Sequence, residues 1–169
     1  MARIEEHDIS WVAHSDPDFP LALNLCPDAP LVLFSSGQPF PNTTRVISIV
    51  GTKQPSADGK AFVRQLVESL APYRPIIVSG FAYGIDIAAQ LAAVENNLIT
   101  YGCLGHGILN CYPNKHLKQR KKIEAQGGFL TELWSHEQIQ RAHFLQRNRI
   151  IAGLAQATIV WSPKAKAVR

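Results

Sequence analysis

From about residue 45 onward, apolar and polar positions along the chain follow a repeating grammar. Arg45 to Val50 is continuous and β-branched, as expected of a strand covered on both faces. Ala57 to Leu70 places Phe62, Leu66 and Leu70 at helical spacing, an amphipathic helix that Pro72 and Pro75 stop. Ile76 to Ser79 reads as a second buried strand, Ile85 to Glu95 as a helix ended by Asn96-Asn97, and Leu98 to Leu104 as a third strand. This alternation with short connections predicts an α/β fold. Its form is a parallel sheet with right-handed crossovers.

After Pro113, Lys115 to Gln126 reads as a basic helix ended by Gly127-Gly128. Phe129 to Thr131 is a short strand, FLQRNRIIAGLAQ from Phe144 a helix, and Ala157 to Trp161 a final strand. Ahead of the periodic part, residues 1–10 are charged and expected to fray. Residues 11–37 form an extended lead-in with a helical turn around Leu21 to Leu25, ending in an edge strand around Leu31 to Phe34. Gln38 to Thr44 is a linker by composition. The division expected is a lead-in over 1–44, an α/β domain over 45–161 and a basic tail over 162–169.

Glycine turns follow three of the strands: Gly51-Thr52-Lys53, Gly80 to Gly84 in IIVSGFAYGIDIAAQ, and Gly105-His106-Gly107. A strand passing through glycine into a helix leaves backbone N–H groups without intrahelical partners, beside the positive end of a helix dipole. Such a place suits phosphate. Each glycine equally fits a sharp turn in a packed core; three at one sheet edge point to a ligand crevice.

Composition narrows the picture. The 169 residues suffice for one domain with a sizeable core, and 46% are hydrophobic. No apolar run approaches a bilayer span, and MARIEEHDIS lacks a signal-peptide pattern, so no membrane partner and a cytoplasmic home are expected. The three cysteines, Cys26, Cys103 and Cys111, form no CxxC pair, which argues against a disulfide scaffold or a zinc site. The net charge of +4 is unevenly spread: residues 1–113 hold 6 Lys or Arg against 10 Asp or Glu, and residues 114–169 hold 11 against 3. A basic half beside a phosphate-type edge suits a polyanion; a solvated basic face is the plainer account.

Several chemistries lack their residues. The first turn has one glycine and the second strand ends without an acid, so the dinucleotide fingerprint is missing. There is no GKS or GKT string. Ser79 lacks a G-x-S-x-G elbow, and Cys103 lies inside an apolar strand, where packing outweighs reactivity. His106 between two glycines fits a phosphate contact or a loop facing water. Asp86 in the first turn of its helix fits capping and loop bracing. Arg147-Asn148-Arg149, just before an apolar helical stretch, offers three hydrogen-bonding side chains, with arginine suited to bidentate phosphate contact. One of the two arginines equally fits a pairing with Glu132 or Asp86 at the core edge.

IVGTK, VSGFAYGID, LGHG followed by Tyr112-Pro113, GGFLTE and FLQRNRIIAGLAQATIV together resemble the DNA-processing protein A family, also called DprA or Smf. The likeness runs from about Phe19 to Val160, and it implies that the α/β fold is a Rossmann-like, mostly parallel sheet with helices on both faces, occupying 45–161. It implies a cytoplasmic protein that binds single-stranded DNA without cutting it, protects incoming strands in natural transformation and helps load the RecA recombinase. It also implies a homodimer, no catalytic residue and no cofactor or metal. Carried over position by position, the resemblance implies a strand-binding pocket of Gly51, Thr52, Lys53, Ser79, Gly80, Gly105, His106, Gly107, Asn114, Lys115 and Asn148; Arg147 and Arg149 join it as counter-charges.

Three departures from the family pattern stand out. Lysine at 53 replaces the usual arginine and loses its planar fork. Trp161-Ser162-Pro163 and a basic tail stand where the family has an acid, a Gly/Ser turn and further αβ structure, so a chain stopping partway through the domain is expected. The helical N-terminal and winged-helix-like C-terminal domains of the family find no counterpart in these 169 residues. An enzymatic alternative comes from related Rossmann-like folds that hydrolyse nucleoside monophosphates through P-G-G-x-G-T-x-x-E. Here Gly127 to Glu132 lacks the proline and the third glycine, with Glu132 as the would-be acid. A non-binding remnant is a third possibility.

Overall fold

A computed structural model describes residues 2–4, 9–42 and 45–162. Among these, eight strands form one sheet in the order β1-β2-β3-β7-β6-β5-β4-β8. The strands are β1 (Ala2–Ile4), β2 (Ile9–Ala13), β3 (Val32–Gly37), β4 (Val46–Gly51), β5 (Ile76–Ser79), β6 (Thr100–Cys103), β7 (Gly128–Thr131) and β8 (Ala157–Trp161). Five of them, β7-β6-β5-β4-β8, pair in parallel; β1, β2, β3 and β7 pair antiparallel in succession. The central strands β5, β6 and β7 are buried at every position, which is why their sequences are continuous rather than alternating.

Helices cover both faces. On one, α1 (Leu21–Asn24) and α5 (Arg141–Leu154) pack Leu23, Ile150, Ile151 and Leu154 against Val46, Val78, Tyr101 and Leu130. On the other, α2 (Ala57–Leu70) and α3 (Ile85–Glu95) pack Val63, Val67, Ala89 and Ala93 against Ile49 and Ile77. The helix α4 (Leu117–Gln126) inserts Ile123 beside Phe81 and Phe129. Ser56 caps α2 by accepting a hydrogen bond from Gly59 N at 3.1 Å.

Some expectations shift. The strand foreseen at the sheet's edge, β3, lies inside it, because β7 takes it as an antiparallel neighbour (Phe34 opposite Thr131) while β2 takes its other side. The lead-in therefore adds three strands, and Ala2–Ile4, Ile9 and Ser10 are paired rather than frayed. In α2 the buried face is Gly59, Val63 and Val67. Phe62, expected inward, is 46% exposed and stacks on Trp161 with ring centroids 4.9 Å apart. Residues 1, 5–8, 43–44 and 163–169 lie outside the described set, so the linker's end and nearly all the basic tail are not placed. No helix among the described residues is long and apolar enough to cross a membrane.

Candidate nucleic-acid interface

Parallel strands β4, β5, β6 and β7 deliver their C-terminal ends to one rim. The loop after β5 folds back over the loop after β4: Ile85 N donates to Thr52 O at 3.2 Å. Gly84 makes this possible, with φ +84 and no space for a Cβ against the Thr52 carbonyl. Lys53 and Tyr83 are thereby brought to the same mouth.

Asp86 sits beneath that mouth in the first turn of α3, 5% exposed. Burial raises its pKa. The Arg147 charge and hydrogen bonds from the backbone at Ala82, Gly51 and Gly80 act the other way, favouring the carboxylate. The strand-end amides at Gly51 and Gly80 that the sequence suggested for phosphate thus already serve the protein's own acid. A buried N–H demands a partner, and α3 supplies one from its first turn.

Arg147, also 5% exposed, closes the arrangement from α5. Its Nη1 donates to the carbonyls of Gly80, at 2.5 Å, and Cys103, tying the ends of β5 and β6. Burial lowers its pKa, while Cys103 and Asp86 oppose that shift; the guanidinium stays charged. Gly80 is glycine because a Cβ would lie 2.6 Å from Arg147 Nη2. Burial pushes the Cys103 thiol up to about 12, so it is inert.

Other expected contact residues also turn inward. Ser79 is fully buried and its hydroxyl donates to Ile49 O at 2.5 Å, a bond across neighbouring strands. His106 is 1% exposed, not a loop side chain facing water. Its Nδ1 lies 2.9 Å from Gly107 O and its Nε2 3.3 Å from Tyr112 N. One N–H donor and one acceptor fit the neutral ring, and burial lowers its pKa. Gly105 and Gly107 are buried with it: Phe144 packs over Gly105, and Trp134 and Ser135 carbonyls lie over Gly107. Arg149 pairs with Glu132 and reaches Asp28 at 3.8 Å. Both arginines are therefore engaged within the protein, and Glu132 is held by one of them.

An aromatic cluster with cations at its edge stays accessible. Lys53 is exposed, its Nζ 5.8 Å from the centroid of the Phe144 ring. Phe144 lies 5.6 Å from the Tyr112 ring. Tyr112 and Tyr83 are 40% and 37% exposed, and with Lys53 and Phe144 they line one pocket above Gly80 and Gly105. Asn114, Lys115 and Asn148 are exposed nearby in sequence and fold; Thr52 is half-buried, accepting from Gln54 N at 3.3 Å. Sequence reasoning assigned no role to the rings of Tyr83, Tyr112 and Phe144. The available signals were Tyr83 beside the turn glycine Gly84, Tyr112 directly before Pro113, and Phe144 ahead of the Arg147-Asn148-Arg149 triplet.

Fold and rim define a Rossmann-like α/β protein whose parallel strand ends are sealed by a buried acid and a buried arginine meeting at Gly80 and overlaid by accessible aromatics and lysines. The family model described as DNA recombination-mediator protein A matches residues 10–167, and the chain belongs to that family. It is 33% identical over 167 residues to the DNA processing protein DprA of Bacillus subtilis, covering 98% of this chain and 56% of that one. Against Protein Smf of a Synechocystis strain the identity is 32%, over 96% of this chain and 43% of the relative. The crystal structure of DNA processing protein A from Streptococcus pneumoniae superimposes with a TM-score of 0.83 at 33% identity, over 90% of this chain and 53% of that one. DNA processing protein A from Helicobacter pylori, which binds single-stranded DNA, superimposes with a TM-score of 0.81 at 27% identity, over 92% of this chain and 69% of that one. The chain thus spans about half the length of the curated relatives it matches.

Proposed function

We propose that this chain binds single-stranded DNA without cutting it and acts in recombination, holding incoming strands in the cytoplasm and helping to load RecA. The observation that carries the reading is Lys53 poised over the Phe144 ring, 5.8 Å from its centroid, beside two exposed tyrosines. Bases stack on aromatic faces whatever their sequence, and lysines neutralise the phosphates between them. Lys53 and Lys115 supply the counter-charges, and Thr52, Asn114 and Asn148 the polar contacts. Gly51, Ser79, Gly80, Gly105, His106, Gly107, Arg147 and Arg149 shape and brace the rim beneath. Family membership supports the recombination role; the RecA contact and a homodimeric form are part of the proposal and follow from the resemblance alone. The capture of Glu132 by Arg149 speaks against its serving as a hydrolytic acid. A fluorescence polarisation titration with oligo-dT and with duplex DNA, at two salt concentrations, tests the reading. Single strands are expected to bind more tightly, with affinity falling as salt rises. Equal or absent binding of both sinks it.

A further inference from the structure

The helix α4 is electrostatically ill-suited to stand alone. Lys118, Lys121 and Lys122 are all exposed, and Lys118–Lys122 is a like-charge pair at i,i+4, a spacing at which repulsion destabilises a helix. Lys118 lies in the first turn, which contains no acid, at the end of the dipole that disfavours cations. The acid on this helix, Glu124, is already taken: Arg120 Nε meets it at 3.0 Å and Ser36 Oγ donates to it at 2.9 Å. Arg120, the remaining cation of α4, is held on the inner side, donating to the carbonyls of Asn110 and Ile108 at 2.7 Å. The inward cation is thus partnered and the outward ones form a face of one sign.

That face begins at the rim. A 3₁₀ turn at Asn114–His116 runs directly into α4, and His116 packs edge-on against Tyr83 with ring centroids 5.1 Å apart. Lys115 therefore leads from the Lys53–Tyr83 mouth onto Lys118 and Lys122, at successive spacings of three and four residues. Leu117, 56% exposed, stands among them as an apolar surface.

We infer that the outer face of α4, through Lys118, Lys121 and Lys122, carries the phosphates of a single strand leaving the rim, extending the binding surface along the helix. The inference rests on the single-strand reading above. A polyanion laid along α4 offsets the repulsion and the unfavourable dipole placement together, and the helix, about 15 Å long, offers a track for several nucleotides.

The test compares wild type with a Lys118→Gln/Lys121→Gln/Lys122→Gln variant on two probes, dT6, which the rim accommodates, and dT20, which reaches α4. All three side chains are exposed, and glutamine keeps helix propensity close to that of lysine. For dT20 the variant is expected to lose about tenfold in affinity at ~0.1 M salt. The slope of log Kd against log salt should become shallower by about 2, since each phosphate neutralised on a single strand contributes about 0.7. Affinity for dT6 should stay within about twofold. A dT20 slope that does not change, or an equal loss on both probes, overturns the α4 track and leaves the rim reading standing. Wild type that binds neither probe overturns both.

Discussion

Asp86 and Arg147 converge on Gly80 from two different helices, each so close that the glycine could carry no side chain between them. The carboxylate gathers the amides of Gly51, Gly80 and Ala82, and the guanidinium gathers the carbonyls of Gly80 and Cys103. Between them they satisfy both kinds of backbone group exposed where parallel strands end. The aromatic and cationic surface above is built on that sealed base.

Arg147→Ala is expected to destabilise the fold by about 3–5 kcal/mol, because it strands a buried carboxylate and two carbonyls. Urea unfolding at pH 7 measures it. Without Arg147 the pKa of Asp86 rises further, so the penalty should shrink as pH is lowered and the acid is protonated. A pH-independent loss would mean that the arginine matters only as packing.

His106 and His116 are both buried, and burial lowers their pKa below the ordinary 6.5. The unfolded chain then binds more protons than the folded one as pH falls below about 6.5, so stability present above that pH is lost beneath it. Asp86, with its raised pKa, acts in the opposite sense: it costs stability as pH rises from the carboxylate range through its folded value. The histidine contribution is read between pH 7.5 and 5.5, an interval spanning their ordinary pKa, through which the unfolded chain takes up protons. His106→Gln is expected to flatten the fall in unfolding free energy over that interval, read from urea titrations at several pH values; an unchanged slope would count against it.

Gln90 in α3 is fully buried, and its side-chain amide has no hydrogen-bond partner among the described residues. Gln90→Met keeps the length of the side chain and removes the unpaired dipole. A gain of about 1 kcal/mol is expected, seen as a higher thermal midpoint. A lower midpoint would show that the amide is satisfied in solution.

Lys53→Ala and Ser79→Ala separate surface from frame. The first should weaken oligo-dT binding about three- to tenfold, with little change in thermal midpoint, since it removes one exposed phosphate counter-charge. The second should cost about 1 kcal/mol of stability through the lost Ile49 bond and leave affinity nearly unchanged. Reversal of these two patterns in polarisation and melting experiments would exchange their assigned roles.

The sequence by itself determined the parallel core. Continuous β-branched runs at Arg45–Val50 and Ile76–Ser79, alternating with helices punctuated by Pro72, Pro75 and Asn96-Asn97, have few other solutions. Local pattern also marked the turns after β4, β5 and β6, because glycine and helix starts are legible within a few residues. Only the tertiary structure decided which groups the rim leaves open. Arg147 and Asp86 lie far apart in the chain, and their meeting at Gly80 depends on how α5 and α3 dock on opposite sides of the sheet. That meeting consumes the amides and the arginine that local reasoning offered to phosphate. The burial of Ser79 and His106, and the place of β3 inside the sheet, have the same origin: each is set by a partner strand or loop remote in sequence, and no periodicity records it.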